Sequence, residues 1–310
     1  MLGLLDLPLP QDGQHESGAY AIAYGAPWPG YLQLYRSADG QGFAPDAVIE
    51  GPAAIGETLT ALQRGVTGRW DHANQFEVRM ISGSLASLSD SAVLAGGNLI
   101  AIEGAPDRFE LLQFARAELI ADNTWRLSRL LRGQFGSDAE MADVIAAGAR
   151  VVVIDGALTP VGVGLNELGR ALSFRAVPPG AGLDSERTAS ASFTFAGQGL
   201  RPLSPVHLRG RRLGNGDIAL SWIRRTRLGG DSWHLPDVPL GEASEAYAVR
   251  ILGAEGEVIR EMAATGPALV YPAGLQIEDF GALPPQITVE VAQVSAIWGA
   301  GAARRKVIHV

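Results

Sequence analysis

Apolar and polar residues alternate in short runs along most of this chain, the pattern of strands with one buried face. Tyr20–Tyr24 and Tyr31–Arg36 predict two strands separated by the Pro27-Trp28-Pro29-Gly30 turn. Phe76–Ile81 alternates as a strand; the Ile55–Leu62 run before it fits either state, with β-branched residues present. The clearest pair is Phe109–Leu119 with Thr124–Leu131, joined by a turn at Ala121-Asp122-Asn123. Trp125 and Leu127 share one face of it, Arg126 and Ser128 the other. Arg132-Gly133-Gln134-Phe135-Gly136 then breaks the strand. Ser137 or Asp138 is expected to cap a short helix running to about Ala147, which Gly148 ends. Val151–Ile154 is continuously apolar and reads as a buried strand.

Residues 176–204 are rich in Pro, Gly and Ser and read as a linker containing one strand, Ser192–Phe195. Pro202 and Pro205 bracket the expected boundary. Beyond it, Val206 and Leu208 face inward and His207 and Arg209 outward. Asn215-Gly216 is the strongest hairpin turn in the chain and leads into Ile218, Leu220 and Trp222 at period two. Tyr247, Val249 and Ile251 repeat the pattern, and Glu255-Gly256 turns into Val258–Glu261. Leu269–Tyr271, then Ile287, Val289 and Val291, then Lys306–Val310 bring the total to about seven strands, the number expected of a fibronectin-type-III or immunoglobulin-like sandwich. The missing cysteines favour the former. The fold expected is therefore mainly β: a β-rich region over 1–175, a linker over 176–204, and a fibronectin-type-III-like β-sandwich over 205–310. No internal repeat or sustained heptad is visible.

Composition narrows the function. At 310 residues, 47% hydrophobic and 19% charged, the chain can bury two or three cores. A net charge of −8 argues against a general nucleic-acid binder. Lys306 is the only lysine among many arginines, which reads as genomic base composition or as a preference for arginine at interfaces. Without cysteine there are no disulfides, Fe–S clusters or Cys-type zinc sites in this chain. The opening MLGLLDLPLPQDGQ lacks a basic n-region and does not read as a signal peptide. No run is long and apolar enough for a membrane helix.

Catalytic patterns are not found. There is no G-x-S-x-G, no H-E-x-x-H, and no lysine for a phosphate loop. Gly162, Gly164 and Gly169 have the wrong spacing for a dinucleotide fingerprint, and Pro160 intervenes. The five histidines are scattered, and carboxylate neighbours such as Asp231 with Asp237, or Glu278 with Asp279, read as solvated surface. The expectation is no enzyme, no catalytic residue, no metal and no cofactor. Trp125 and Trp222 lie on inward strand faces and read as core. Trp28 and Trp70 fit either packing anchors or exposed binding aromatics. Trp233 sits in the long Arg-rich loop after Trp222 and fits an interface anchor or a lid on its own sandwich. Arg225, Arg227, Asp231 and Trp233 are expected to contact a neighbouring domain or subunit.

Five stretches carry a resemblance: LLQFARAELIADNTWRLSRLLRGQFGSD, VVVIDGAL, FAGQGLRPLSPVHLRGRR, SWIRRTRLGGDSW with VPLGEASEAYAVRI, and VEVAQVSAIWGAGAARRKVIHV. In this order the chain, from about Leu4 to Val310, resembles the C-terminal portion of the tail-tip baseplate hub protein of gene transfer agents and siphophages. That family is often called host specificity or phage tail proteins. Its members are longer and carry a TIM-barrel-like domain similar to glycoside hydrolases, which nothing here matches. The resemblance implies a structural part of a virion or gene transfer agent particle, located at the tail tip or baseplate. It implies a homotrimer bound to other tail and baseplate subunits, with the first region hub-like and the sandwich an outward module. Two other readings stay open: a carbohydrate- or receptor-binding module that meets a host-surface glycan through Trp28, Trp70 or Trp233, and a fragment of a cell-wall glycoside hydrolase.

Overall fold

Nearly every element is a strand, as the alternation predicts. The computed structural model describes residues 1–9, 17–230 and 238–310, which divide into two units, Met1–Gly199 and Leu200–Val310.

In the first unit, six strands close into a barrel. They are β5 (Ile55–Thr58), β7 (Asp71–Ser82), β8 (Leu99–Ala105), β9 (Arg108–Ala121), β10 (Thr124–Leu131) and β12 (Arg150–Val153), in the order β10-β7-β5-β12-β8-β9. Phe76, Val78, Ile100, Ile102, Leu112, Phe114, Leu127 and Val151 fill its interior. A barrel this narrow is packed solid by its own side chains. Gly56 makes one corner possible: a Cβ there would lie 2.5 Å from the Arg79 carbonyl oxygen, so the two backbones could not approach. On the outside, charges alternate across neighbouring strands. Glu57 pairs with Arg79, and Arg126 lies 3.0 Å from Glu77 and 3.6 Å from Glu118.

Part of the barrel wall is buried on its outer face too, which explains the continuously buried runs at 99–102, 111–115 and 151–152. A sheet of β1 (Leu2–Asp6), β2 (Ala19–Ala23) and β13 (Thr159–Pro160) covers it. Leu5, Tyr20 and Ile22 pack there against Leu99, Phe109, Leu111 and Val152. The opposite face of that sheet, with Leu4, Ala19 and Ala21, packs on Leu34, Leu172 and Phe174 of a third layer. This layer has the order β15-β14-β3-β4, from β3 (Leu32–Ser37), β4 (Ala44–Ile49), β14 (Ala171–Val177) and β15 (Ala189–Thr194). The barrel is thus one continuous stretch of chain set between the two halves of the outer layers.

Two expectations are corrected in this unit. The helix predicted from Ser137 to about Ala147 does not form. Ser137 is buried, and its Oγ accepts from Leu111 N at 2.8 Å and donates to Gln134 O at 2.8 Å, so it ties the loop to β9 instead of capping a helix. A short 3-10 turn at Gln134–Ala139 takes its place, followed by β11 (Val144–Ile145) paired with β6 (Leu62–Gln63). The segment 176–204 does contain a strand, but it is not a free linker. β15 pairs with β14 along its whole length, and Phe195 is fully buried in the first unit's core.

The second unit is a β-sandwich. One sheet has the order β16-β17-β20, from β16 (Val206–Arg212), β17 (Ile218–Ile223) and β20 (Ala268–Tyr271). The other has β19 (Val258–Ala264), β18 (Tyr247–Leu252), β21 (Gln286–Ser295) and β23 (Arg304–His309) side by side, with the short β22 (Gly299–Ala300) folding back on the end of β21. Leu208, Ile218, Leu220, Trp222 and Tyr271 from the first sheet meet Tyr247, Val249, Ile251, Ile287, Val289 and Val291 from the second. These are the residues whose period-two spacing predicted the sandwich. A helix the sequence pattern did not reveal, α1 (Ala273–Phe280), joins β20 to β21. Its buried Gln276 accepts from Arg212 Nη1 at 2.9 Å, and the same guanidinium reaches the Pro284 carbonyl at 2.6 Å.

Candidate interaction surface

The strand directions bring three segments to one end of the sandwich: residues 200–205, the β17–β18 loop and the β21–β23 connection. Hydrogen bonds join them. Arg225 Nε donates to Ser204 O at 2.7 Å, and Ala302 N donates to Pro202 O at 3.1 Å.

The arginines of the β17–β18 loop turn back on its own backbone. Arg224 donates to the carbonyls of Pro239 and Val238 at 2.7 and 2.5 Å. Arg227 reaches Gly241 O at 3.0 Å and Glu242 Oε1 at 3.3 Å, with the Glu242 side chain almost fully buried. Arg225, one of the residues expected at an interface, ties the loop to the 200–205 segment, and Arg227, another, braces the loop through Gly241 and Glu242. Asp231 and Trp233 lie outside the described residues. On the neighbouring connection, Ile297 is exposed, and Ser295 Oγ accepts from the backbone N–H groups of Ile297 and Trp298 at 3.2 and 3.3 Å.

The other tryptophans separate cleanly. Trp125 and Trp222 are core residues, and Trp222 meets Tyr247 edge-on at 5.1 Å between ring centres. Trp70 packs beside Val93, Ala115 and Leu131. The Arg129 guanidinium lies 5.0 Å above its ring and is itself held by Asp90, so that face is covered. Trp28 is half-buried against the third layer and lines a cavity of about 420 Å³.

A second cavity, about 510 Å³, is polar and opens beside Arg36, Ser37, Asp39, Asp46 and Glu167. Arg36 sits between two carboxylates, with Nη1 at 2.6 Å from Glu167 and Nε at 3.2 Å from Asp46. Burial raises the Asp46 carboxyl above its ordinary value, against the pull of Arg36. For Glu167, burial is outweighed by hydrogen bonds from Arg36 and Gly164 N, and its pKa is lowered. Each carboxylate is committed to the same cation, which suits holding β3, β4 and the 164–167 turn together. Nothing local in the sequence completes this cluster, because Glu167 lies 131 residues from Arg36 along the chain.

Residues 53–152 match the family model described as Rcc01698-like, C-terminal. That family is linked to gene transfer agent proteins. The matched span is under half of the chain and coincides with the barrel, from the residues before β5 to β12. The family match therefore falls on the sequence of the barrel and does not include residues 224–233. No curated protein matches the chain at a significant level. Among solved structures, the chain is similar to domains d3–d4 of rat CD45, at 10% identity and TM-score 0.26 over 44% of this chain and 63% of that one. It is similar to the FN1–FN3 domains of chicken CNTN1, at 12% identity and TM-score 0.26 over 82% and 66%. It is also similar to domains A168–A170 of titin, at 10% identity and TM-score 0.24 over 90% and 73%. The chain thus spans less than two thirds of the first two. Scores this low carry no argument, and the sandwich rests on the strand order and shared core given above.

Proposed function

We propose that this chain is a structural component of a phage-like tail tip or baseplate, corresponding to the C-terminal portion of a hub protein in a gene transfer agent or siphophage particle. The observation that carries the reading is the coincidence of the family match with a complete, solid barrel. A module whose interior is filled, and whose charged groups are paired into ladders and braces, suits a load-transmitting part. In this reading the chain acts without catalysis, joins other tail and baseplate subunits as a trimer, and presents its sandwich outward toward a host surface.

The test is localisation. An epitope tag on the chain, followed by purification of intact particles and immunogold electron microscopy, should place label at the tail tip. In-frame deletion should give particles lacking that density. Particles of normal composition without the protein would overturn the reading.

A further inference from the structure

Two edge strands of the sandwich, β16 and β23, carry a concentration of positive charge that the tail-component reading does not use. β16 reads VHLRGRR and β23 reads RRKVIH. Neither holds an acidic residue, although the whole chain carries a net charge of −8. Lys306 Nζ donates to Leu208 O at 3.0 Å, and a Cβ on Gly210 would lie 2.9 Å from the Ile308 side chain. The two contacts advance together along both strands. β16 and β23 therefore run alongside each other in the same direction, and Gly210 lets them approach. Arg209, Arg211, Arg304 and Arg305 are exposed along this side. The first three have no acidic partner among the described residues, and Arg305 lies 3.9 Å from Glu290. β17, which pairs with β16, has no acid, and β21, which pairs with β23, has Glu290 alone.

The backbone aims these side chains outward. His207 holds a left-handed φ of +54°, inside a register shift between Val206 and Arg209. This bulge adds one residue to β16, so that Leu208 is buried while Arg209 and Arg211 stand opposite Ser221 and Ala219 on the outer face. A slip of one residue would exchange the two sets. The class of anion follows from what else the two strands hold. Single-stranded nucleic acid stacks its bases on aromatic rings, and neither strand has a Phe, Tyr or Trp. A long duplex would run past strands of about 20 Å onto a chain of opposing charge. An acidic peptide adding as a strand meets the Lys306 bond that closes the gap between the two edges. A compact group of phosphates is the complement. Each brings roughly −1.5 to −2 of charge and accepts the paired N–H donors of a guanidinium.

We propose that the β16–β23 side of the sandwich binds phosphate groups clustered on a small saccharide headgroup, with Arg209 and Arg211 on one strand and Arg304 on the other supplying the contacts. The proposal rests on the tail-component reading for its setting, a sandwich turned toward a host surface. The two fail separately. A chain found at the tail tip that binds no phosphate sinks this proposal alone, and a chain that binds phosphate but is absent from particles sinks only the tail role.

The test titrates the full chain with an N-acetylglucosamine disaccharide bearing a phosphate on each ring, and with the same disaccharide lacking both. Binding is read from ¹H–¹⁵N shifts. Expected are shifts confined to β16, β23 and their neighbours, an affinity that falls as salt is raised, and no response to the phosphate-free sugar. Arg209→Gln and Arg211→Gln, both at exposed positions, should each weaken binding by roughly two- to fivefold, and the pair together by more. Arg250→Gln, at the Arg250–Glu261 pair of β18 and β19, should leave it unchanged. Unmoved core signals in the variants confirm an intact fold. Wild-type affinity in the double variant would overturn the proposal. So would equal binding of the phosphate-free sugar, of inorganic phosphate, of a poly-Glu peptide or of a short DNA duplex.

Discussion

Arg132 grips Glu110 with both arms of its guanidinium, Nε to Oε1 at 2.6 Å and Nη2 to Oε2 at 2.7 Å, and neither side chain reaches solvent. The same arginine donates to Gln63 O at 2.9 Å and lies 3.7 Å from Asp71, while Gly133 N donates to Glu110 at 3.2 Å. This brace fastens the end of β10 to β9 and to the 62–71 segment. Removing one partner strands a buried charge, so Arg132→Met should destabilise the first unit by about 3–5 kcal/mol in urea denaturation of the whole chain. Arg132→Met with Glu110→Leu should recover much of that loss. A double variant no better than the single would show that the shape of the ion pair matters more than its charge.

Asp6 makes a second long-range tie, accepting from the backbone N–H groups of Ala196, Gly197 and Gln198 at 2.7–2.9 Å. Burial raises its pKa from 3.8 to about 6, against the opposing pull of those N–H groups. The folded state therefore keeps a proton that the unfolded state has already lost over this interval. Its contribution to stability is full below about pH 3.8 and is lost as pH rises through about 6. Asp6→Asn has no such titration, so the stability difference between wild type and variant isolates the group. Wild type should gain on the variant by up to roughly 3 kcal/mol as pH falls from 7 to 4. A difference that stays flat with pH rejects the account.

The last strand of the sandwich carries two cations at positions facing the core. Arg304 and Lys306 stand in register with the buried Val291 and Val289, and Lys306 Nζ donates to Leu208 O at 3.0 Å. Charges placed inward on an edge strand discourage a second sheet from adding to it. Arg304→Val with Lys306→Val should raise self-association in sedimentation velocity above that of wild type. Unchanged sedimentation across a wide concentration range would assign these residues no such role.

The inward-turned arginines of the β17–β18 loop predict a local effect. Arg227→Ala removes the contacts to Gly241 and Glu242, so native-state cleavage of this loop by thermolysin should quicken several-fold, with the global unfolding midpoint little changed. Unaltered cleavage would mean that other contacts hold the loop.

Strand positions were legible because period-two alternation survives wherever one face is wet: Ile218, Leu220 and Trp222 lie where their spacing put them. The helix after Ser137 was misread because a serine suited to a cap spends its hydroxyl on β9, a tertiary contact with no local signature. Barrel closure was equally hidden, since β12 pairs with β5 and β8, strands distant in sequence. The arginine-rich loop stood out by composition, but composition does not tell whether a guanidinium points outward or back at its own carbonyls. The Trp28 cavity combines residues near 24–29 with others near 176–189, so the sequence offered the aromatic and withheld its surroundings.

The placement of the barrel also bears on how the chain is made. β3 precedes it and β14 follows it, yet the two pair directly, with Arg36 opposite Phe174. During synthesis β1 and β2, and β3 and β4, have their partners early, but β3 must wait for the whole barrel to emerge before β14 exists. The barrel, whose strands all lie between Ile55 and Val153, can close as soon as β12 clears the ribosome. It then holds the two halves of the outer layers close together, which shortens the effective loop they must close. The nested order of the sequence thus becomes a timetable for folding, in which the outer sheets are completed only after the barrel.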